Sequence, residues 1–383
     1  MKKILLIVFL LILFGIGYYI YAAFQLVMAM EGANIDIPTI ESVTSIEDIV
    51  KPYVDHENTR ALSIATINKG EIKYYNYGNC SKDDPNPPTT QSVYEIGSIT
   101  KTFTATVLAQ MVKEGKVQLT DPISKFLPKD VWKWTTDTLS ITLEELATHT
   151  SGLPRLATNA RKRQFLSLTN PYKYYSKEDL YDFLRAYSPK LKGERTSEYS
   201  NLGFGLLGTI LADIDGTSYE EMVANRIFRP LNMSHTFIDR KGKDILKGHN
   251  GAGKSTSPWD FQSMAGAGAI RSCTKDMMNY LQAHLYASDN DAYYLTHQPK
   301  ADFGEKDKIG LGCIIKPTTS GNYSKIFHNG GTYGFLSSMV IDKEQQIGVI
   351  VFSNSFQGVD DISFRIMELM EKQNKTLSQL QID

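Results

Sequence analysis

The residues with the most chemistry in their spacing are Ser98 and Lys101, in the stretch Tyr94-Glu95-Ile96-Gly97-Ser98-Ile99-Thr100-Lys101. Residues three apart on a helix share a face, with Cβ atoms about 5–6 Å apart, so a lysine there reaches the serine hydroxyl. A serine becomes a nucleophile near neutral pH only beside a base. A lysine in a dry pocket supplies one, because desolvation favours its uncharged amine. Gly97 lets the backbone approach a ligand closely. Ser98 falls where a helix begins, and the free N–H groups of a helix N-terminus suit a developing oxyanion. The expectation is a covalent nucleophile at Ser98, activated by Lys101. Ser-x-x-Lys alone is a common accident, so the rest of the chain has to supply the partners.

Two further patterns do so. Tyr199-Ser200-Asn201 presents a phenol and an amide together; the phenol can shuttle a proton and the amide can hold a substrate carbonyl. His328-Asn329-Gly330-Gly331 closes an expected strand, where glycines let a substrate lie along the edge and receive an N–H bond. His149, alone beside the turn Thr150-Ser151-Gly152, is expected to make a structural hydrogen bond rather than to act in catalysis. No Gly-x-Ser-x-Gly elbow is present. Gly248 to Ser255 fits the phosphate-loop pattern letter for letter, but a charged stretch precedes it and Pro258 interrupts any helix after it. It is expected to be a flexible surface loop, and no nucleotide is expected.

These residues need elements to hold them. Ser45 and Asp48 form a capping box opening a helix. Ala61 to Ile67, the turn Asn68-Lys69-Gly70, and Glu71 to Tyr77 make a hairpin. A helix runs from Ser98 to about Glu114 and ends at Gly115. Thr142 and Glu145 cap a short helix through Thr148. Asn201 to Asp215 is a helix lined by Gly203, Gly205 and Gly208, which permit close packing. Thr217 and Glu220 open a helix to about Phe228, and Ser272 to Leu285 is another. Strands return at Ile309–Ile315, Ser324–His328, Leu336–Asp342 and Ile347–Ser353, and a last helix covers about Asp361 to Lys372. Strands at both ends with helices between predict an α/β (α+β) fold: one antiparallel sheet built from both ends of the domain, with a large helical insert.

Lys2 and Lys3 precede an uncharged, mostly apolar run, Ile4 to Met30. As a helix it would be about 40 Å long, enough to span a bilayer. It is read as an uncleaved anchor, with a cleaved signal ending near Val27-Met28-Ala29 as the alternative. Either way the remainder is exported, with the lysines inside. The domain plan is thus an anchor or signal over 1–30, a linker over 31–44, one domain over 45–375 and a tail over 376–383. The chain of 383 residues has 42% apolar content and a net charge of −1, with no basic stripe for nucleic acid. Cys80, Cys273 and Cys313 are scattered, and the seven histidines lack ligand spacing, so no disulfide framework, metal or cofactor is expected.

Taken together and in this order, the motifs resemble those of the serine β-lactamase and penicillin-binding protein superfamily, closest to its class C β-lactamase and D-alanyl-D-alanine carboxypeptidase branch. The resemblance spans roughly Ile46 to Met370. It includes Leu146-Ala147-Thr148-His149-Thr150-Ser151-Gly152-Leu153-Pro154, Tyr199-Ser200-Asn201-Leu202-Gly203, Ile227-Phe228-Arg229-Pro230-Leu231-Asn232-Met233 and His328-Asn329-Gly330-Gly331. It implies a mixed α/β domain beside a helical one, and a hydrolase working through an acyl-enzyme at Ser98. Lys101 and Tyr199 would share proton transfer, Asn201 would bind the substrate amide, and the N–H groups of Ser98 and Gly331 would form the oxyanion hole. The substrate would be a D-alanyl peptide, a β-lactam or a small ester. Many such proteins carry Lys-Thr-Gly where this chain has His328-Asn329-Gly330. A histidine there is expected to supply only part of the lysine's charge near pH 7, which weighs against efficient β-lactam turnover. A penicillin-binding sensor that acylates without turnover is the alternative.

Overall fold

Strands from both ends of the chain pair into one sheet. A computed structural model describes residues 35–160, 167, 169–318 and 321–380, with positions 15, 17, 32 and 33. The segment expected to be an anchor or signal, 4–30, lies outside the described residues apart from positions 15 and 17. Among the described residues, no helix is long and apolar enough to cross a membrane. The first hairpin is β1 (Leu62–Asn68) and β2 (Glu71–Tyr77). Short β3 (Tyr94–Glu95), β4 (Gly248–His249), β5 (Ser255–Thr256) and β6 (Arg271–Ser272) follow. The chain then adds β7 (Ala301–Phe303), β8 (Asp307–Ile309), β9 (Ile314–Pro317), β10 (Tyr323–Gly331), β11 (Leu336–Asp342) and β12 (Ile347–Ser353). The eight-stranded sheet has the order β2-β1-β12-β11-β10-β9-β8-β7. Antiparallel β1 and β12 join the two ends of the domain in register from Leu62 opposite Ser353 to Asn68 opposite Ile347.

The expected α/β architecture is therefore the observed one, and alternation explains how it packs. On β12, Val349 and Val351 face one layer while Ile350 and Phe352 face the other, so both faces are covered. One cover is α1 (Ile46–Val54), capped by the Ser45–Asp48 box, with α9 (Asp360–Leu380) beside it. The other holds the helical insert: α2 (Thr100–Lys113), α3 (Leu143–Ala147), α4 (Lys177–Ala186), α5 (Asn201–Asp215), α6 (Tyr219–Val223), α7 (Thr274–Leu285) and α8 (Ala292–Thr296). Helix α2 is buried on every side over its first ten residues, as suits an element at the centre of a core. Its threonines are partnered there: Thr102 donates to Ile99 O at 2.8 Å and Thr104 to Gly266 O at 2.8 Å.

Several expectations change in detail. Ile309 to Ile315 is not one strand, because Gly310 N bonds Cys313 O at 2.8 Å and Gly312 takes φ +64°, turning the chain between β8 and β9. The cap of α6 is Ser218, which accepts from Glu221 N, rather than Thr217. Helix α9 runs on to Leu380, and Ile35, Ile37 and Ile40 of the expected linker pack on the apolar cluster beneath α1. The stretch resembling a phosphate loop is the tight hairpin β4–β5, with no helix after it. It is tied down by His249 N on Asn354 O at 2.8 Å and by Gln357 Nε2 on Gly251 O at 2.9 Å, so it is not a free surface loop.

Candidate active site

Ser98 sits on a single 3₁₀ turn, Gly97–Ile99, between β3 and α2. Ile96 N bonds Ile270 O at 3.1 Å, and Ser337 Oγ donates to Ile96 O at 2.9 Å, which fixes the turn against β6 and β11. The end of β10 lies flat on it. A Cβ on Gly330 would stand 2.0 Å from Ile96 O and 2.8 Å from Ser98 N. Gly97, at φ +49°, has Gly331 N where its own Cβ would be. Only glycine on both sides permits this approach. It brings the Gly330–Gly331 backbone to the nucleophile turn, as the sequence pattern required.

Lys101 lies one turn further on, fully buried. Its Nζ is 2.9 Å from Ser98 Oγ and donates to Ala267 O at 2.7 Å. The carbonyl comes from the 3₁₀ turn Ala265–Ala267, which packs on α5 where Gly208 and Gly266 meet: a Cβ on Gly208 would reach Gly266 Cα at 2.9 Å. This is the close packing expected of the glycine-lined helix. No carboxylate among the described residues pairs with Lys101. Burial, and then the charge of Arg155, hold its pKa well below the usual lysine range.

Tyr199 and Asn201 enter with the start of α5, which is clamped from several directions. Ser200 caps the helix by accepting from Gly203 N at 2.9 Å, and its hydroxyl donates to Pro154 O at 2.8 Å. Ser200 N donates to His149 Nδ1 at 3.0 Å, while Asn201 N and Leu202 N donate to Arg155 O. His149 thus makes the structural hydrogen bond expected of it. It also stacks near the Tyr199 ring, centroids 4.5 Å apart, so it positions the phenol. Lys101 Nζ is 4.8 Å from the Tyr199 centroid. Burial pushes the phenol up to about 12, against the pull of a hydrogen bond with Ser98 and of Arg155. Asn201 Nδ2 donates to Tyr172 Oη at 2.9 Å, and its Oδ1 is buried with no partner among the described residues. One amide group of Asn201 is therefore free, as binding a substrate amide requires.

His328 is on β10, buried, with its ring 6.4 Å from that of Tyr199. Nδ1 pairs with Asn329 O at 2.6 Å. Burial and the nearby Lys101 push its pKa down to about 3, so it carries no charge near pH 7. This corrects the expectation of a partial charge. The same causes, in the same order, keep His149 neutral.

Other contributors have little or no signature in sequence. Ala267 acts through its backbone. Tyr172, stacked on Phe261 at 4.6 Å, holds Asn201. Arg155 follows a recognised turn but no pattern marks it; its Cζ is 5.0 Å from the Tyr199 centroid. Arg271 Nη2 meets Glu95 Oε1 at 3.2 Å, both almost wholly buried, and joins β3 to β6, the two stretches that carry Ser98 and the Ala267 carbonyl. Away from this site, His284, His297 and Cys313 converge despite their distant positions in sequence. The two imidazoles bond each other directly, Nδ1 to Nε2 at 2.7 Å, and the second nitrogen of each ring is buried with no partner among the described residues.

The chemistry of this arrangement is that of a buried amine beside a serine, with a buried phenol and the backbone of Gly330 and Gly331 close to it. A family model described as Beta-lactamase matches residues 46–369. The chain is 28% identical over 345 residues to D-alanyl-D-alanine-carboxypeptidase/endopeptidase AmpH of Escherichia coli (strain K12), covering 82% of this chain and 88% of that protein. It is 26% identical over 359 residues to a beta-lactamase of the same organism, covering 82% and 90%. Among solved structures, a beta-lactamase/D-alanine carboxypeptidase from Pseudomonas syringae superposes with a TM-score of 0.71 at 21% identity, over 84% of this chain and 97% of the other, which shows a common fold. The chain belongs to the beta-lactamase family and is a serine hydrolase of the β-lactamase/DD-peptidase type.

Proposed function

We propose that the enzyme hydrolyses an amide or ester through an acyl-enzyme on Ser98. The observation that carries this is the 2.9 Å contact between Ser98 Oγ and a buried Lys101 with no carboxylate partner among the described residues. An uncharged amine has two N–H groups and one lone pair. One N–H is spent on Ala267 O, and the lone pair is left to take the Ser98 proton as Oγ attacks the substrate carbonyl. Tyr199, held protonated near pH 7, donates to the departing amine or alkoxide and is refilled from Lys101. The N–H groups of Ser98 and Gly331 receive the oxyanion. The free amide group of Asn201 holds the amide of the acyl portion. Water then cleaves the ester by the same route in reverse, releasing the acid and restoring Ser98.

A neutral residue at 328 offers no counter-charge to a substrate carboxylate, which D-alanyl peptides and β-lactams both carry, so it favours a small neutral ester as far as that position decides. The relatives' names point to peptidoglycan-derived peptides as the natural class. The apolar run Ile4 to Met30 supports a catalytic domain outside the cytoplasm on a membrane anchor. Turnover of a D-Ala-D-Ala peptide, a nitrophenyl ester and a penicillin should be compared between wild type and Ser98→Ala. Loss of every activity in the variant is expected; hydrolysis of the ester at the wild-type rate would sink the mechanism. Protease shaving of intact cells tests export: the domain should be degraded from outside, and full protection would refute the anchor.

A further inference from the structure

The site as described lacks a fixed positive charge at His328, but one stands elsewhere beside Tyr199. The backbone of Arg155 is locked to the catalytic helix: its carbonyl accepts from Asn201 N at 3.1 Å and from Leu202 N at 3.2 Å. Its guanidinium carbon is 5.0 Å from the centre of the Tyr199 ring. Unlike Arg195, Arg226 and Arg271, which are paired with carboxylates, Arg155 is exposed and has no side-chain hydrogen bond or ion pair among the described residues. An arginine stays charged at any pH the protein survives, and its planar fork matches a carboxylate. Pro154, Arg155, Leu156, Pro171 and Glu198 border a hollow of about 480 Å³ next to it. Glu198 is the carboxylate among these residues, and it does not pair with Arg155. The arginine's field reaches Lys101, His149, Tyr172 and Tyr199, where it disfavours added positive charge or favours negative charge.

We propose that Arg155 is an anion subsite of this enzyme, binding a carboxylate carried by the substrate and so selecting acidic peptides or esters over neutral ones. The proposal rests on the hydrolase reading above. The carboxylate either lies on the acyl portion or on the leaving group; both present the same chemistry to the guanidinium.

The test measures kcat/KM on three esters: nitrophenyl butyrate, mono-nitrophenyl glutarate with a carboxylate on the acyl chain, and 3-carboxy-4-nitrophenyl butyrate with one on the leaving group. Each acidic ester is expressed as a ratio to the neutral one, which cancels any general loss of catalysis. For at least one acidic ester the ratio should fall about fivefold or more in Arg155→Gln, through KM, and recover in part in Arg155→Lys. Glu198→Gln, which removes a nearby negative charge, should raise the same ratio. The ester that responds locates the carboxylate. If both ratios stay within about twofold of wild type in Arg155→Gln while hydrolysis still depends on Ser98, the subsite is refuted and the hydrolase stands. If Ser98→Ala hydrolyses all three esters like wild type, the hydrolase reading fails and the subsite falls with it.

Discussion

Lys101 Nζ donates to the Ala267 carbonyl at 2.7 Å while standing 2.9 Å from Ser98 Oγ. A backbone carbonyl orients the amine without giving it a counter-charge, so burial, with the charge of Arg155 behind it, lowers its pKa and leaves it a base. Activity should therefore require the uncharged amine. kcat/KM should rise with pH along a limb set by the lowered Lys101 pKa, well below the ordinary lysine range. Lys101→Ala should cost about 10²–10⁴-fold in kcat. A pH–rate profile that still rises near the usual lysine pKa would contradict this account.

Arg155 contributes to that lowering by charge repulsion. Removing it in Arg155→Gln should raise the Lys101 pKa and move the acid limb of the profile to higher pH. Full profiles on a neutral ester measure the displacement. A limb that stays in place, or moves to lower pH, would show that the guanidinium does not act on the amine.

His328 and His284 are buried in neutral form, each with a pKa pushed from 6.5 down to about 3. The unfolded chain takes up protons at these positions below pH 6.5, and the folded chain does not. Their contribution to stability is thus complete above that pH and is lost as pH drops towards 3. Denaturant midpoints between pH 3 and 6.5 read this slope, and His328→Gln should flatten it. An unchanged slope in that variant would mean that His328 does not titrate as described.

The hairpin of β1 and β2, the extent of α5 and the strands β11 and β12 were legible in sequence, because a turn such as Asn68-Lys69-Gly70, a row of small residues and an apolar run are local signals. The break at Gly310–Gly312 was not: Ile309 to Ile315 has strand composition, and the turn is fixed by partners. Helix α4 was passed over although Ser176 and Asp179 form a capping box. At the site, Ser98, Lys101, Tyr199 and the glycines of β10 were legible as motifs. The Ala267 carbonyl has no side-chain signature. The neutrality of His328 comes from burial that only the assembled sheet creates, and the place of Arg155 depends on how the Thr150–Pro154 turn meets α5.

Arg271 and Glu95 hold together the two strands that deliver Ser98 and the Ala267 turn. Breaking a buried pair strands a charge, so Arg271→Met should cost about 3–5 kcal/mol, and the double variant with Glu95→Gln should recover part of it. Urea denaturation of the single and double variants measures both. A single-variant loss below about 1 kcal/mol would show that the pair contributes no more than a surface contact.

Gly330 has no room for a side chain: Ile96 O and Ser98 N occupy the space. Gly330→Ala should displace the nucleophile turn and lower kcat by about 10²-fold, through misplacement rather than loss of a reacting group. A variant that folds and retains wild-type kcat would mean that β10 does not set the position of Ser98.

The central claim is a covalent acyl-enzyme on Ser98. Intact-mass measurement after brief exposure to a penicillin and to a D-alanyl thioester, followed by peptide mapping, tests it most directly. The account predicts one added acyl group on the wild-type protein, mapped to Ser98, and none on Ser98→Ala. An adduct of the same mass on Ser98→Ala, or one mapped to another residue, would contradict it.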